Sequence, residues 1–182
     1  MKVVVELKST LVDSPRVAQV RGLFDLEPSA VDHHVRSHEL EIEEKPWNLG
    51  LITGPSGSGK STLSKVLWPN AILPTNPWHH DKSLLDSFPM ELGVKEVVEI
   101  LSSVGFSSPP AWLRPFASLS NGQQFRATLA LLIAQAKAKP SATPIVFDEF
   151  TSVVDRTVAR IGSSALARII RKLDMKFVAV TC

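Results

Sequence analysis

One stretch constrains this chain more than any other: GPSGSGKS, Gly54 to Ser61. The short apolar run NLGLITG (Asn48–Gly54) leads into it and reads as a buried strand; GKSTLSKVLW (Gly59–Trp68) follows as a helix halted by Pro69. A strand that turns through glycines into a helix aims several backbone N–H groups at one point, and the helix N-terminus adds a favourable dipole. Such a cradle takes phosphate groups. The spacing fits G-x-x-x-x-G-K-[ST], so Gly54, Pro55, Ser56, Gly57, Ser58, Gly59, Lys60, Ser61 and Thr62 are expected to form a nucleotide-binding loop. Within it Lys60 reaches the phosphates and Ser61 ligates Mg2+. Chance would produce the bare pattern in very roughly one chain in a hundred of this length. The strand–loop–helix setting lowers that further.

The rest of the chain supplies a domain around the loop. Its 182 residues can bury a real core, and 44% hydrophobic with 21% charged residues is ordinary globular composition. VVVEL (Val3–Leu7) reads as a strand, and HELEIE (His38–Glu43) as a half-exposed one with Leu40 and Ile42 on one face. SPRVAQVRGLF (Ser14–Phe24) reads as a short helix with Ser14 as cap and Pro15 at its first position. The chain is irregular from Pro74 to Pro89. ELGVKEVVEILSSVG (Glu91–Gly105) then puts Val94, Val97, Val98, Leu101 and Val104 on one helical face. A proline-rich connector, SSPPAWLRPF (Ser107–Phe116), precedes a helix from Gly122 to Lys139 that buries Phe125, Leu129, Leu132 and Ile133. PIVF (Pro144–Phe147) is a strand, a helix follows from about Val154 to Lys172, and KFVAVTC (Lys176–Cys182) is the last strand. Strands alternating with helices imply an α/β fold with a mainly parallel sheet covered on its faces.

Charge and cysteine usage narrow the function. A formal charge of +2 gives no argument for nucleic acid or for a membrane surface. The one cysteine, Cys182, leaves no internal disulfide, so a reducing, cytoplasmic location is expected. MKVVVELKSTLVDSP is neither a secretion signal nor a span, and no stretch reaches ~18 uninterrupted apolar residues. A soluble protein without direct membrane insertion is expected.

IVFDE (Ile145–Glu149) is an apolar strand ending in two acids. At such a strand tip, beside the phosphate loop, Asp148 is expected to hold Mg2+ and Glu149 to polarise an attacking water. An acidic turn after a buried strand is common and says little alone. Joined to the phosphate loop, it points to catalysis.

LSNGQ (Leu119–Gln123) lies between the loop and the acidic strand. It resembles the LSGGQ signature of ABC-type ATPases, and TSVVD (Thr151–Asp155) is similar to that family's D-loop. The four motifs run in family order from Gly54 to Asp155. The resemblance implies a phosphate-loop NTPase fold with an N-terminal antiparallel β portion and a reduced helical subdomain. It implies one domain over 1–182, with a core lobe of about 1–75 and 142–182 and a helical lobe of about 82–140. It also implies ATP as ligand, Mg2+ as cofactor, and head-to-tail pairing of two copies or of related domains. Leu119, Ser120, Asn121, Gly122 and Gln123 would then close over the partner's ATP, with Ser120 and the N–H groups near Gly122 as an anion-binding helix cap. Asp155 would link the two sites, with Lys60 and Glu149 carrying catalysis.

The chain departs from that pattern in several places. There is no glutamine from Ser61 to Gly122 to contact Mg2+ and water; Asp81, in the His79-His80-Asp81 cluster, is the expected substitute, with a solvated polar loop as the alternative. Lys60 and Ser120 are only 60 positions apart, which shortens the helical lobe and argues against a typical transporter subunit. Every histidine lies at or before His80, so the family's switch histidine is missing and a C-terminal truncation at Cys182 is expected. Phe24 and Trp47 are candidates to stack on adenine, though core packing suits each as well, and Arg156 and Arg160 read as a solvated helix face. FDEF, with Phe150 where many transporter subunits carry proline, is similar to a cytosolic group of ABC ATPases associated with an acetyltransferase-like domain. A transporter subunit, a DNA-associated ATPase, for which nucleic acid would be the partner, and an ATP-gated module without turnover are the alternatives.

Overall fold

A computed structural model of the chain describes residues 2–10, 12, 14–26, 31–42, 46–140 and 143–182. It divides into two compact units, Met1–Lys45 and Pro46–Cys182. In the first, β1 (Lys2–Thr10) pairs antiparallel with β2 (Val31–Glu39), from Lys2 opposite Glu39 to Thr10 opposite Val31. Between them in sequence runs α1 (Pro15–Phe24). Ser14 caps it as expected: its hydroxyl accepts from the Val17 N–H at 3.3 Å, and Pro15 stands in the first turn, where its missing N–H costs nothing. The second strand lies earlier than the alternation of HELEIE suggested. Pairing with β1 reaches Lys2 at Glu39, and an alternating pattern makes no strand without a ladder to satisfy its N–H and C=O groups. Leu40 and Ile42 are half-buried in non-strand backbone, and Glu43 lies outside the described residues.

The second unit is built on a parallel sheet of β3 (Leu49–Thr53), β4 (Ile145–Phe147) and β5 (Phe177–Thr181), in the order β3-β5-β4. Leu49 and Ile145 both stand opposite Phe177, and Ile72 adds a single parallel bridge to Ile145. The helices are α2 (Lys60–Leu67), α3 (Val94–Ser103), α4 (Pro109–Trp112), α5 (Asn121–Ala138) and α6 (Arg156–Lys172). Alternation sorts the central strand: Phe177 and Ala179 join one core, and Val178 and Val180 the other. The larger core also takes Phe125, Leu129 and Leu132 of α5, Val97 and Leu101 of α3, and Ile169 and Ile170 of α6. The smaller one packs Trp47, Ile52 and Trp68 against Val146, Val178 and Val180.

Three expectations are corrected here. β3 is not buried: Leu51 is 67% exposed and Leu49 also faces solvent, because β3 is an edge among the described strands and only Gly50 and Ile52 turn inward. Val94 is 71% exposed at the head of α3; the buried stripe runs through Val97, Ile100, Leu101 and Val104, the positions closest to a 3.6-residue repeat. The proline-rich connector contains the short α4, whose buried Trp112 donates its Nε1–H to the Phe106 carbonyl at 3.0 Å.

Candidate nucleotide site

The carboxyl ends of β3, β4 and β5 lie along one edge of the parallel sheet, and the glycine-rich loop expected to bind phosphate follows the first of them. Its turn closes with the Ser58 N–H donating to the Pro55 carbonyl at 3.2 Å. Gly57 and Gly59 take φ of 73° and 87°, left-handed conformations that disfavour any side chain. Gly59 is also the N-cap of α2, and no side chain caps that helix. The first-turn N–H groups of α2 therefore depend on something other than a capping side chain. Lys60 is turned onto its own loop: Nζ donates to the carbonyls of Gly54 at 2.8 Å and Pro55 at 2.9 Å, and lies 3.5 Å from Cys182 Sγ. Ser61 and Thr62 are half-buried in the first turn, while Pro55 and Ser56 are exposed.

The acidic pair ends β4. Asp148 is half-buried and its Oδ1 accepts the Glu149 N–H at 3.0 Å; Glu149 is exposed, with φ of 53°. β5 stands between β3 and β4, so the tip carrying Asp148 is about 10 Å from the tip carrying the loop, two strand spacings rather than one. The candidate residues share one sheet edge, and Cys182, after β5, brings its Sγ to 3.5 Å from Lys60 Nζ.

LSNGQ heads α5. Ser120 is its N-cap and forms a reciprocal box with Gln123: the Gln123 N–H donates to Ser120 Oγ at 3.4 Å, and the Ser120 N–H to Gln123 Oε1 at 3.1 Å. Leu119 is buried, Asn121 is exposed, and Gly122 faces Val158 of α6. Asp155 is the N-cap of α6, Oδ1 accepting from Thr157 at 2.8 Å and Val158 at 3.0 Å.

The remaining candidates separate. His79, His80 and Asp81 are exposed, and among the described residues no three His, Cys, Asp or Glu side chains gather as a metal cluster. Trp47 packs edge-on to Trp68 at 6.1 Å, with Lys176 Nζ 4.8 Å from its ring centroid, which makes it a core residue of the second unit. Phe24 is exposed at the end of α1, and Arg156 and Arg160 are exposed on α6. A hydroxyl at Ser61 and a carboxylate at Asp148 suit Mg2+, a hard cation that takes few protein oxygens and keeps water and phosphate as its other ligands.

Two aromatic groupings went unread in the sequence. Trp78 stacks on Phe116 at 4.2 Å with rings 4° apart, tying the irregular stretch to the approach to α5. Phe150, next to Glu149, sits among Phe125, Phe147 and Phe177. The signal available was the spacing of phenylalanines around FDEF, which says nothing of which rings meet.

No protein-family model and no curated protein matches the chain. Solved structures do. An Atm1-family bacterial ABC exporter with ATP bound aligns over 74% of this chain and 29% of its own, at 14% identity and a TM-score of 0.57. A dimeric bacterial ABC transporter cassette aligns over 74% of both chains, at 16% identity and 0.55. An inward-facing ABC transporter assigned to the metal-chelate type aligns over 74% of this chain and 62% of its own, at 22% and 0.53. This chain thus spans under a third of the exporter's length and under two thirds of the third structure's. The chain has a mixed α/β fold with a parallel sheet, similar to that of ABC transporter cassettes.

Proposed function

We propose that the chain binds ATP with Mg2+ and hydrolyses it at a head-to-tail dimer interface. The observation that carries this is the start of α2: a glycine-built turn, no side-chain cap, and Lys60 held on two loop carbonyls from which phosphate oxygens would draw it. Ser61 and Asp148 would hold Mg2+, which supplies charge neutralisation of the phosphates when bound. Glu149, exposed beyond Asp148, orients a water and takes its proton as the water oxygen bonds to the γ-phosphorus. The bond from that phosphorus to the bridging oxygen breaks, leaving ADP and phosphate. Ser120 and Gly122 would serve the γ-phosphate of a second copy, Asp155 would link the two sites across the junction between copies, and Asp81 would stand in for the missing glutamine toward Mg2+ and water. Opening of the dimer after hydrolysis makes the domain a switch.

A soluble, non-transport role is favoured by the short span from Lys60 to Ser120, and by Phe150 after Glu149, as in ATPases associated with an acetyltransferase-like domain. Among the described residues no helix is long and apolar enough to cross a membrane. The test is phosphate release from Mg-ATP against protein concentration. A specific rate that rises with concentration and falls about 100-fold or more in Glu149→Gln supports a composite site with Glu149 as base. A rate independent of concentration removes the dimer, a measurable rate unchanged in Glu149→Gln removes Glu149 as base, and no release where ATP binds removes turnover. Co-purification with a membrane protein would return the chain to transport.

A further inference from the structure

We infer that Phe150 is a positioning residue: it holds the turn that directs Glu149 and, through Phe125, ties that turn to the first turns of α5. The functional half of this rests on the reading of Glu149 as base; the structural half does not. Glu149 and Thr151 have φ of 53° and 68°, so two non-glycine residues in three positions are left-handed. Each is locally unfavourable because Cβ crowds the backbone, and such residues persist only where the surroundings over-determine them. The one residue between them is buried. The Phe150 N–H donates to the Val180 carbonyl at 2.9 Å, continuing the sheet past the end of β4. Its ring lies 5.6 Å from each of Phe125, Phe147 and Phe177.

Phe125 cannot yield easily. Across from it stands Gly162 of α6, where an added Cβ would come 2.9 Å from Phe125 Cε1, so α5 and α6 close on this ring. Phe125 lies just over one helical turn beyond Ser120, in the helix that Ser120 caps. A shift at the head of α5 thus meets a packed ring, and that ring meets the residue beside Glu149. Interiors this dense transmit displacement instead of absorbing it. If Phe150 were core filler only, its truncation would lower stability and leave the direction of the Glu149 carboxylate alone.

The experiment uses the full chain with Phe150→Leu, and Phe150→Ala where it folds. ATP affinity, phosphate release at saturating Mg-ATP and denaturation midpoint are measured. Phe150→Leu is expected to keep ATP affinity and KM while lowering kcat about tenfold, as a displaced catalytic group does. Added to Glu149→Gln it should cost nothing further, since it acts through that carboxylate. A further loss in the double variant, or unchanged kcat in the single one, overturns the proposal. The backbone arm needs no turnover. Glu149→Gly should melt higher than Glu149→Ala in the parent, where the left-handed turn is enforced, and this difference should vanish in the Phe150→Leu background. A difference that persists there means that Phe150 does not hold the turn. Unchanged turnover in Glu149→Gln, with the backbone arm intact, would fault the assignment of the base and spare the anchor.

Discussion

α2 and α5 both begin at a serine- and glycine-containing turn, and they satisfy their first N–H groups in different ways. The start of α2 relies on Gly59 in a left-handed conformation and has no side-chain cap. The start of α5 is closed from within, Ser120 and Gln123 each accepting the other's backbone N–H. A helix end left without its own cap has donors to offer a ligand; one with a capping box has spent two of them. On the proposed reading the first would be the primary phosphate site. The second can add a dipole and a hydroxyl to an anion held chiefly by something else, as a composite interface requires.

The largest effect that would break this contrast is at Lys60. Lys60→Ala should weaken ATP binding by about 10- to 100-fold, the worth of a charged hydrogen-bonding partner. A calorimetric titration showing unchanged affinity would mean that the start of α2 is not where phosphate sits. Ser120→Ala should behave oppositely: about 1 kcal/mol less stable in denaturant without nucleotide, with ATP affinity of the separate chain unchanged. If instead it lost affinity at full stability, the two helix starts would have exchanged roles.

The smallest effect sharpens the comparison at a third helix start. α3 is capped from within by a group that titrates: Glu96 Oε2 accepts the Gly93 N–H at 3.0 Å, and Oε1 accepts from Lys137 Nζ at 2.6 Å. The Lys137 hydrogen bond, then that of Gly93, holds the Glu96 carboxyl below the ordinary glutamate range. With the folded value depressed, its contribution is present above the ordinary value and is lost as pH falls through the folded one. Both side chains are solvated, so the loss is small. Thermal melts of parent and Glu96→Gln should converge slightly below that range; parallel melts at every pH would mean the cap contributes nothing.

Much of the candidate site was legible because its parts are local. A phosphate loop, an acid pair after an apolar strand and a serine at a helix head each depend on backbone within a few residues, where steric and hydrogen-bond rules act directly. Ser14 and Pro15 foretold the start of α1 for the same reason. Two errors came from reading periodicity without its partner. HELEIE alternates, but among the described residues its ladder ends at Glu39, and NLGLITG is apolar but lies at an edge of the described strands, which leaves Leu51 exposed. Ser120 and Gln123 stand three positions apart, the spacing of a capping box, so that local device too was present in the letters.

By itself the sequence determined the chemistry available and its order along the chain: Lys60 and Ser61 at one helix head, Asp148 and Glu149 at one strand end, and Ser120 at a second helix head. Only the tertiary structure decided that β5 stands between the loop strand and the acid strand, and that Phe125 of α5 meets Phe150 and packs against Gly162 of α6. Caps and turns close within a turn of chain and leave their mark in adjacent letters. The strand order and the Phe125–Phe150 contact join residues 25 or more positions apart, and the burial that selects them is non-directional, so any large apolar side chain satisfies the pattern equally until the whole core is packed.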